Sequence, residues 1–417
     1  MLIGVAAFVG RVIYVVTTTN HQALTTDEIY FISNARSLAA GHGFKFSALI
    51  GAAPVDNAAH PPLTALVLAP TATITDSNLA LRLTVAFAGV GTVVLVGVVG
   101  RKLAGPRAGL IAAAIAALYP ALWSYDGLVL SETFSAITTA LVMLLAYRLV
   151  SDPSWLNALG TGVACGLAML SRSELLVFVP VLVVMVLARI TTIDWSRRAA
   201  VAGIMVVASA ATVGPWVGYN LSRFEKPVFL TYPGGVLLGA NCRSTYYGPL
   251  IGSWNGFCTV QSNNPDPSVV EAEKQRRALS YVRAHLSRVP VVVAARIGRV
   301  WSVYRLGQIA DYEAANGVPK WATWSGWAMY LVLGVLTVAG AVSLARRRVT
   351  LLPIIAPFVV ATLTAAAFYG RPRFRIPAEV SIAILAAVAL DAFVNAAQTE
   401  GSDTSNLVRR LVPRRAR

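Results

Sequence analysis

Leu83 to Gly100 reads LTVAFAGVGTVVLVGVVG, eighteen residues without a charge, and Arg101-Lys102-Leu103-Ala104-Gly105-Pro106-Arg107 follows at once. An uncharged run of about 20 residues is what an α-helix needs to cross a hydrocarbon core, where each backbone polar group must be satisfied within the segment. The basic cluster at its end marks the loop that stays in the cytoplasm, because Lys and Arg are retained there. The same alternation of apolar run and basic turn recurs along the 417 residues. Hydrophobic residues make up 56% of the chain and charged residues only 13%. Soluble chains carry about a quarter of their residues charged, so a soluble multidomain protein is excluded.

Working outward from that helix, one layout of ten helices satisfies every basic turn. Helix 1 (1–17) leads outward into an external segment, 18–79, and helices at 80–101, 107–125, 133–149, 155–171, 175–190 and 199–219 follow. A long external loop spans 220–320, and helices at 322–344, 350–368 and 376–396 complete the set. The chain then divides into an N-terminal transmembrane module (1–219), an external loop (220–320), C-terminal helices (321–396) and a basic cytoplasmic tail (397–417). No basic leader with a small-residue cleavage site precedes helix 1, so it is read as a span; it is short and carries Arg11, and its start is expected upstream.

Shorter segments fill the external regions. Pro61 to Ile74 is apolar but too short to span, and reads as an interfacial helix with Pro61 and Pro62 at its start. Residues 26–40 form a second such helix, and 270–288 an amphipathic one. Arg296, Arg299 and Arg305 make 289–306 an interfacial helix rather than a span.

The net charge of +16 does not point to nucleic acid, because it sits at helix ends, as at Arg346-Arg347-Arg348. The tail arginines (Arg409, Arg410, Arg414, Arg415, Arg417) are expected along anionic lipid head groups. Cys165 lies in an apolar run and reads as a packing residue. Cys242 and Cys258 flank a polar loop, and a disulfide between them is expected if that loop faces an oxidising compartment.

Five polar groups at the outer helix ends carry the chemistry. Asp27-Glu28 follows helix 1: a carboxylate there suits a general base for a hydroxyl acceptor, or the pair is a solvated helix cap with Thr25-Thr26. His60, ahead of Pro61-Pro62-Leu63, binds phosphate or acceptor or merely lies in the interface. Asp126 and Ser131-Glu132 stand between helices 3 and 4, and Arg172-Ser173-Glu174 between helices 5 and 6, where structural pairing is the simpler reading. Tyr369-Gly370-Arg371-Pro372-Arg373-Phe374-Arg375 places three arginines in five residues on the outer side, against the charge rule. An arginine fork suits a phosphate through paired, charge-assisted hydrogen bonds. No Walker loop, dinucleotide glycine fingerprint or His-Glu-X-X-His is present.

In this order the acidic pair, the His-Pro-Pro-Leu helix start, the acidic loop after helix 3 and the late arginine loop resemble the GT-C glycosyltransferases. The protein O-mannosyltransferase and aminoarabinose-transferase group, glycosyltransferase family 39 with its bacterial relatives, is the nearest likeness. Pro215-Trp216 with Asn220, Phe224-Glu225-Lys226-Pro227-Val228 and Gly239-Ala240-Asn241 also look like the bacterial members. The resemblance implies a polyprenyl-phosphate sugar donor, an envelope glycan, lipid or protein as acceptor, and inverting single displacement at the outer leaflet. It makes Asp27 catalytic with Glu28 beside it and Glu132 the second acid, although many relatives carry Asp there. It places Arg371, Arg373 and Arg375, with His60, on the donor phosphate, and Tyr369, Arg172, Glu174 and Asn241 along the substrate. Whether a divalent metal joins Asp27, Glu28 and Glu132 stays open. The resemblance departs at the C-terminus, where no large soluble domain of the kind that often helps bind the acceptor is expected after helix 10. The rival from another class is a transporter or lipid flippase, which favours internal repeats and charges at mid-membrane; no clear repeat is visible.

Overall fold

The computed structural model describes residues 2–46, 54–260, 262 and 264–411, with 399–411 as backbone alone. The helices are α1 (Leu2–Thr17), α2 (Thr26–Ala39), α3 (Leu63–Ile74), α4 (Asn78–Ala104), α5 (Pro106–Leu118), α6 (Pro120–Trp123), α7 (Glu132–Ser151), α8 (Trp155–Ser171), α9 (Phe178–Arg189) and α10 (Trp195–Arg223). They continue with α11 (Gly234–Ala240), α12 (Arg243–Tyr246), α13 (Pro267–Ala284), α14 (Val289–Val300), α15 (Leu306–Ala315), α16 (Lys320–Arg346), α17 (Leu352–Ala367) and α18 (Ile376–Leu411). Among the described residues the only sheet is one ribbon, β1 (Lys45–Phe46) antiparallel to β2 (Val55–Asp56).

The chain is an all-helical membrane protein. Among the described residues six segments are long and apolar enough to cross a bilayer: Leu2–His21, α4, α7, α10, α16 and Pro372–Gln398. The apolar helices α3, α5, α8 and α17 are shorter. The run expected at 107–125 breaks at Leu118, because Pro120 forces Tyr119 into an extended conformation and α6 starts afresh. The run expected at 175–190 opens as a 3-10 turn, Ser173–Val177, before α9 begins. Helix α14 ends at Val300, where Ser302 and Arg305 turn the backbone left-handed. At the C-terminus the backbone of α18 continues to Leu411 through most of the expected tail. The side chains of Arg409 and Arg410, and all of Arg414, Arg415 and Arg417, lie outside the described residues.

Helix α4 is central, packed against α1, α5, α7 and α18, while α8 lies on α10 and α16 on α18. Small residues allow these approaches, since helices in lipid associate by close van der Waals packing rather than by hydrophobic exclusion. At Gly340 of α16 an added Cβ would land on the Leu385 carbonyl oxygen of α18. Gly340→Val is therefore expected to push the two helices apart and cost about 1–3 kcal/mol of stability through overpacking. A thermal midpoint of the detergent-solubilised variant equal to wild type would contradict that close contact.

The turns joining α4 to α5 and α7 to α8 reverse the chain, so helix ends gather in two groups. At one end Lys102 donates to the Ser151 hydroxyl (3.2 Å) and Arg107 to Asp391 (2.7 Å). At the other, the starts of α2, α7 and α18 meet the end of α8. The segment holding α11–α15 lies over this second end and carries the Cys242–Cys258 disulfide. The buried α14 arginines secure it: Arg296 donates to the carbonyls of Ala240 (2.7 Å) and Ala366 (3.0 Å), and Arg299 to that of Ile251 (2.7 Å).

Candidate active site

Thr25 caps α2 with its side chain, and Glu28 returns the bond to the Thr25 backbone in a capping box. This fixes Asp27 in the first helical turn, where the positive end of the helix dipole favours a carboxylate. Asp27 is half-buried, its side chain 28% exposed.

One arginine joins two helix starts. Arg373, in the 3-10 turn Pro372–Arg375 before α18, donates through Nη1 to Asp27 Oδ2 (2.8 Å) and through Nε to Glu132 Oε1 (2.5 Å). Glu132 is fully buried at the first residue of α7 and also accepts from Arg172 Nη1 at 2.7 Å. Arg172, just past α8, gives its Nε to Glu174 Oε1 (2.6 Å). Asp27, Arg373, Glu132, Arg172 and Glu174 thus form one chain of alternating charge across four helix ends. His60 stands 4.0 Å from the Asp27 carboxylate, packed between Tyr30 and Phe31.

The electrostatics follow from this chain. Burial is the largest single influence and would raise the Asp27 pKa, but the surrounding charges together, led by Arg373, hold the carboxyl well below the usual carboxylate range. Burial lowers the His60 pKa and, with Arg373 and Arg172, exceeds the pull of Asp27, so its ring is neutral at physiological pH.

The three late arginines do not form one fork, because each has a different environment. Arg373 is committed to carboxylates. Arg375 turns away to Glu379 four residues on, to the Val300 carbonyl (2.9 Å) and to the Ser302 hydroxyl (3.0 Å). Arg371 lies over the rings of Tyr312 (4.8 Å) and Tyr369 (5.9 Å), and among the described residues it has no ion pair; its Nε is buried without a hydrogen-bond partner. Glu132 Oε2 is likewise unpartnered.

Other expected site residues are drawn elsewhere. Glu28 is fully buried and takes Arg82 Nη2 (3.0 Å) and the Val129 amide (3.2 Å), tying α2 to α4 and to the loop before α7. Asp126 pairs with Arg11 (2.6 Å) and Thr133 (2.7 Å). Asn241 accepts from Arg296 (2.9 Å) and Tyr246 (2.9 Å) inside the segment above the site. With Glu28 turned to Arg82 and Glu132 held by two arginines, Asp27, Glu28 and Glu132 do not converge on one point. Among the described residues no group of three His, Cys, Asp or Glu side chains is placed to hold a metal ion.

Sequence reading passed over several partners. Arg82, alone in the first turns of apolar α4, was visible as a charge in a membrane run. Glu379 was visible as the i+4 partner of Arg375. Glu313, whose carboxylate takes the Tyr125 hydroxyl at 2.6 Å, carries no such local signal.

In fold the chain is similar to the GT-C membrane glycosyltransferases. AglB from Archaeoglobus fulgidus, an archaeal oligosaccharyltransferase solved with an inhibitory peptide and a dolichol-phosphate, superposes with TM-score 0.55 at 13% identity over 100% of this chain and 52% of that one. The same A. fulgidus enzyme tethered to an acceptor peptide containing the NVT sequon gives 0.55 at 14% identity, over 94% and 49%. ArnT from Cupriavidus metallidurans bound to undecaprenyl phosphate gives 0.44 at 16% identity, over 93% and 78%. The chain spans about half the length of the archaeal enzyme. Residues 59–217 match the family described as dolichyl-phosphate-mannose-protein mannosyltransferase. That stretch contains His60, Glu132 and Arg172 but neither Asp27 nor the Arg371–Arg375 turn. Among curated proteins, none matches the sequence.

Proposed function

We propose that this chain transfers a sugar from a polyprenyl-phosphate donor to an acceptor hydroxyl, with inversion, on the extracytoplasmic side of the membrane. The observation that carries the reading is the half-exposed Asp27 carboxylate, ionised against Arg373, with the unpaired Arg371 guanidinium close by. Asp27 takes the acceptor's proton while its oxygen attacks the anomeric carbon. The bond from that carbon to the phosphate oxygen breaks on the opposite face, and polyprenyl phosphate leaves with the bonding pair. Arg371 supplies charge-assisted hydrogen bonds to the leaving phosphate, and Arg373 orients Asp27. His60, Glu132, Arg172, Glu174 and Tyr369 shape the surrounding hollow.

The side assignment rests on charge. Arg101, Lys102, Arg148, Arg189, Arg197 and Arg346–Arg348 lie at or beside helix ends at the pole opposite Asp27, and retention of positive charge supports a cytoplasmic location for that pole. Dolichol-phosphate in the AglB complex is consistent with a lipid-phosphate donor.

The deciding experiment follows label from polyprenyl-phosphate-linked sugars to envelope acceptors in membranes holding the protein. Translocation of the lipid without transfer of the label overturns the reading in favour of a flippase. Arg371→Ala is expected to raise KM for the donor about 10- to 150-fold, since a hydrogen bond to a charged group contributes about 1.5–3 kcal/mol. The thermal midpoint should move only slightly, because Arg371 has no ion pair to lose and gives up only its contacts with the Tyr312 and Tyr369 rings. An unchanged donor KM removes Arg371 from the site.

A further inference from the structure

A second cavity, with about 50 Å³ open to the centre of a water-sized sphere, shares the Pro372–Arg375 turn with the Asp27 cluster but none of that cluster's acids. Its walls include Tyr125, Glu313, Trp324, Trp327, Arg375 and Glu379. The charges here cancel: Arg375 is paired with Glu379, which also accepts from Tyr119 at 2.6 Å. Among the described residues lining the cavity, no cation is left without an acid partner. Glu313 is only 2% exposed, and while Tyr125 donates to its Oε2, its Oε1 has no partner among the described residues. A buried carboxyl oxygen without a partner costs free energy unless a ligand or water supplies one. Burial raises the Glu313 pKa against the opposing Tyr125 bond and the Arg371 and Arg373 charges. The indoles of Trp324 and Trp327 stand at 89° with centroids 6.1 Å apart, and Trp324 is 41% exposed. A mostly apolar hollow with aromatic walls and a few fixed polar groups is the usual form of a small-molecule site.

Resting on the transfer reading above, we propose that this cavity is a carbohydrate subsite for one uncharged sugar ring of a glycan acceptor. Glu313 takes a ring hydroxyl, and the tryptophans cover the ring's apolar face. The donor's own sugar is a poorer occupant, because it must remain bonded to a phosphate and the hollow offers that phosphate no cation. The acceptor is then a glycan of more than one ring, with its attacking hydroxyl at Asp27 and a neighbouring ring here.

The test measures binding without turnover. The protein in nanodiscs is examined by saturation-transfer NMR against methyl glycosides of mannose, glucose, galactose and arabinose. At least one is expected to bind wild type and to bind Asp27→Asn equally well. Its affinity should fall about tenfold or more, a 1.4 kcal/mol step, in Glu313→Ala and in Trp324→Ala, with Glu313→Gln between. Trp324 is exposed enough for its truncation to spare the fold, which guards against a misfolded Glu313→Ala. No binding to wild type, or binding that survives both truncations, overturns the proposal. So does loss of binding in Asp27→Asn, which would put the glycoside in the Asp27 hollow. Failure of the transfer reading registers separately, as glycoside binding without movement of label from the lipid.

Discussion

Asp27→Asn is expected to leave a folded protein whose kcat for sugar transfer is about 10²–10⁴ lower, the usual loss when a general base is removed. Asparagine keeps the shape of the side chain and can still face Arg373, so donor KM should change little. The measurement is initial-rate transfer from a polyprenyl-phosphate sugar in proteoliposomes, with thermal unfolding run beside it. Retained kcat would dismiss Asp27 as the base. The pH dependence has a defined sign. The surrounding charges, led by Arg373, together outweigh burial and depress the Asp27 pKa, so the carboxylate persists through neutral and mildly acid pH. An acid limb of the rate due to Asp27 must then lie below the ordinary carboxylate range. The same linkage makes the stabilising contribution of Asp27 present above its unfolded pKa and lost only as pH falls through the folded value. A wild-type limb near pH 4 that disappears in Asp27→Asn would contradict the ion pair.

Arg373→Met is expected to give the largest loss of stability, because it leaves fully buried Glu132 and half-buried Asp27 without their shared cation. Breaking a buried pair by removing one partner costs about 3–5 kcal/mol, mostly for the charge left behind. Activity should be abolished. Adding Glu132→Gln to Arg373→Met removes a buried charge left with Arg172 as its one remaining cation and should recover part of the thermal midpoint without recovering transfer, which separates stability from catalysis. Arg373→Lys keeps the charge but cannot offer two parallel donors to two acids, so it should fall between. If Arg373→Met melts with wild type, the charge chain contributes no stability.

Burial of Glu28 behind Arg82 and Val129 explains why two adjacent acids have different fates. Successive residues on a helix point about 100° apart, so when one faces the hollow its neighbour must face a packed surface. From sequence, Asp27 and Glu28 are equivalent; the capping box and the approach of α4 distinguish them. The late arginines repeat the lesson. Three similar residues in five positions become one bridge, one unpaired cation and one structural partner, according to which element each meets.

Composition, apolar runs and basic turns were enough to establish a helical membrane protein with its acids and late arginines at one set of helix ends. Those signals are local: a helix crossing lipid needs its length and apolar character within one continuous segment, and charge at its ends is written next to it. Pairings between segments were beyond that reach. Arg373 meets Asp27 across 346 positions and Glu132 across 241, and Glu313 meets Tyr125 across 188. Side-chain type alone does not say which partners meet at such distances; the packing of the bundle decides, because buried charges must find whichever opposite charge the helix ends bring within hydrogen-bond reach.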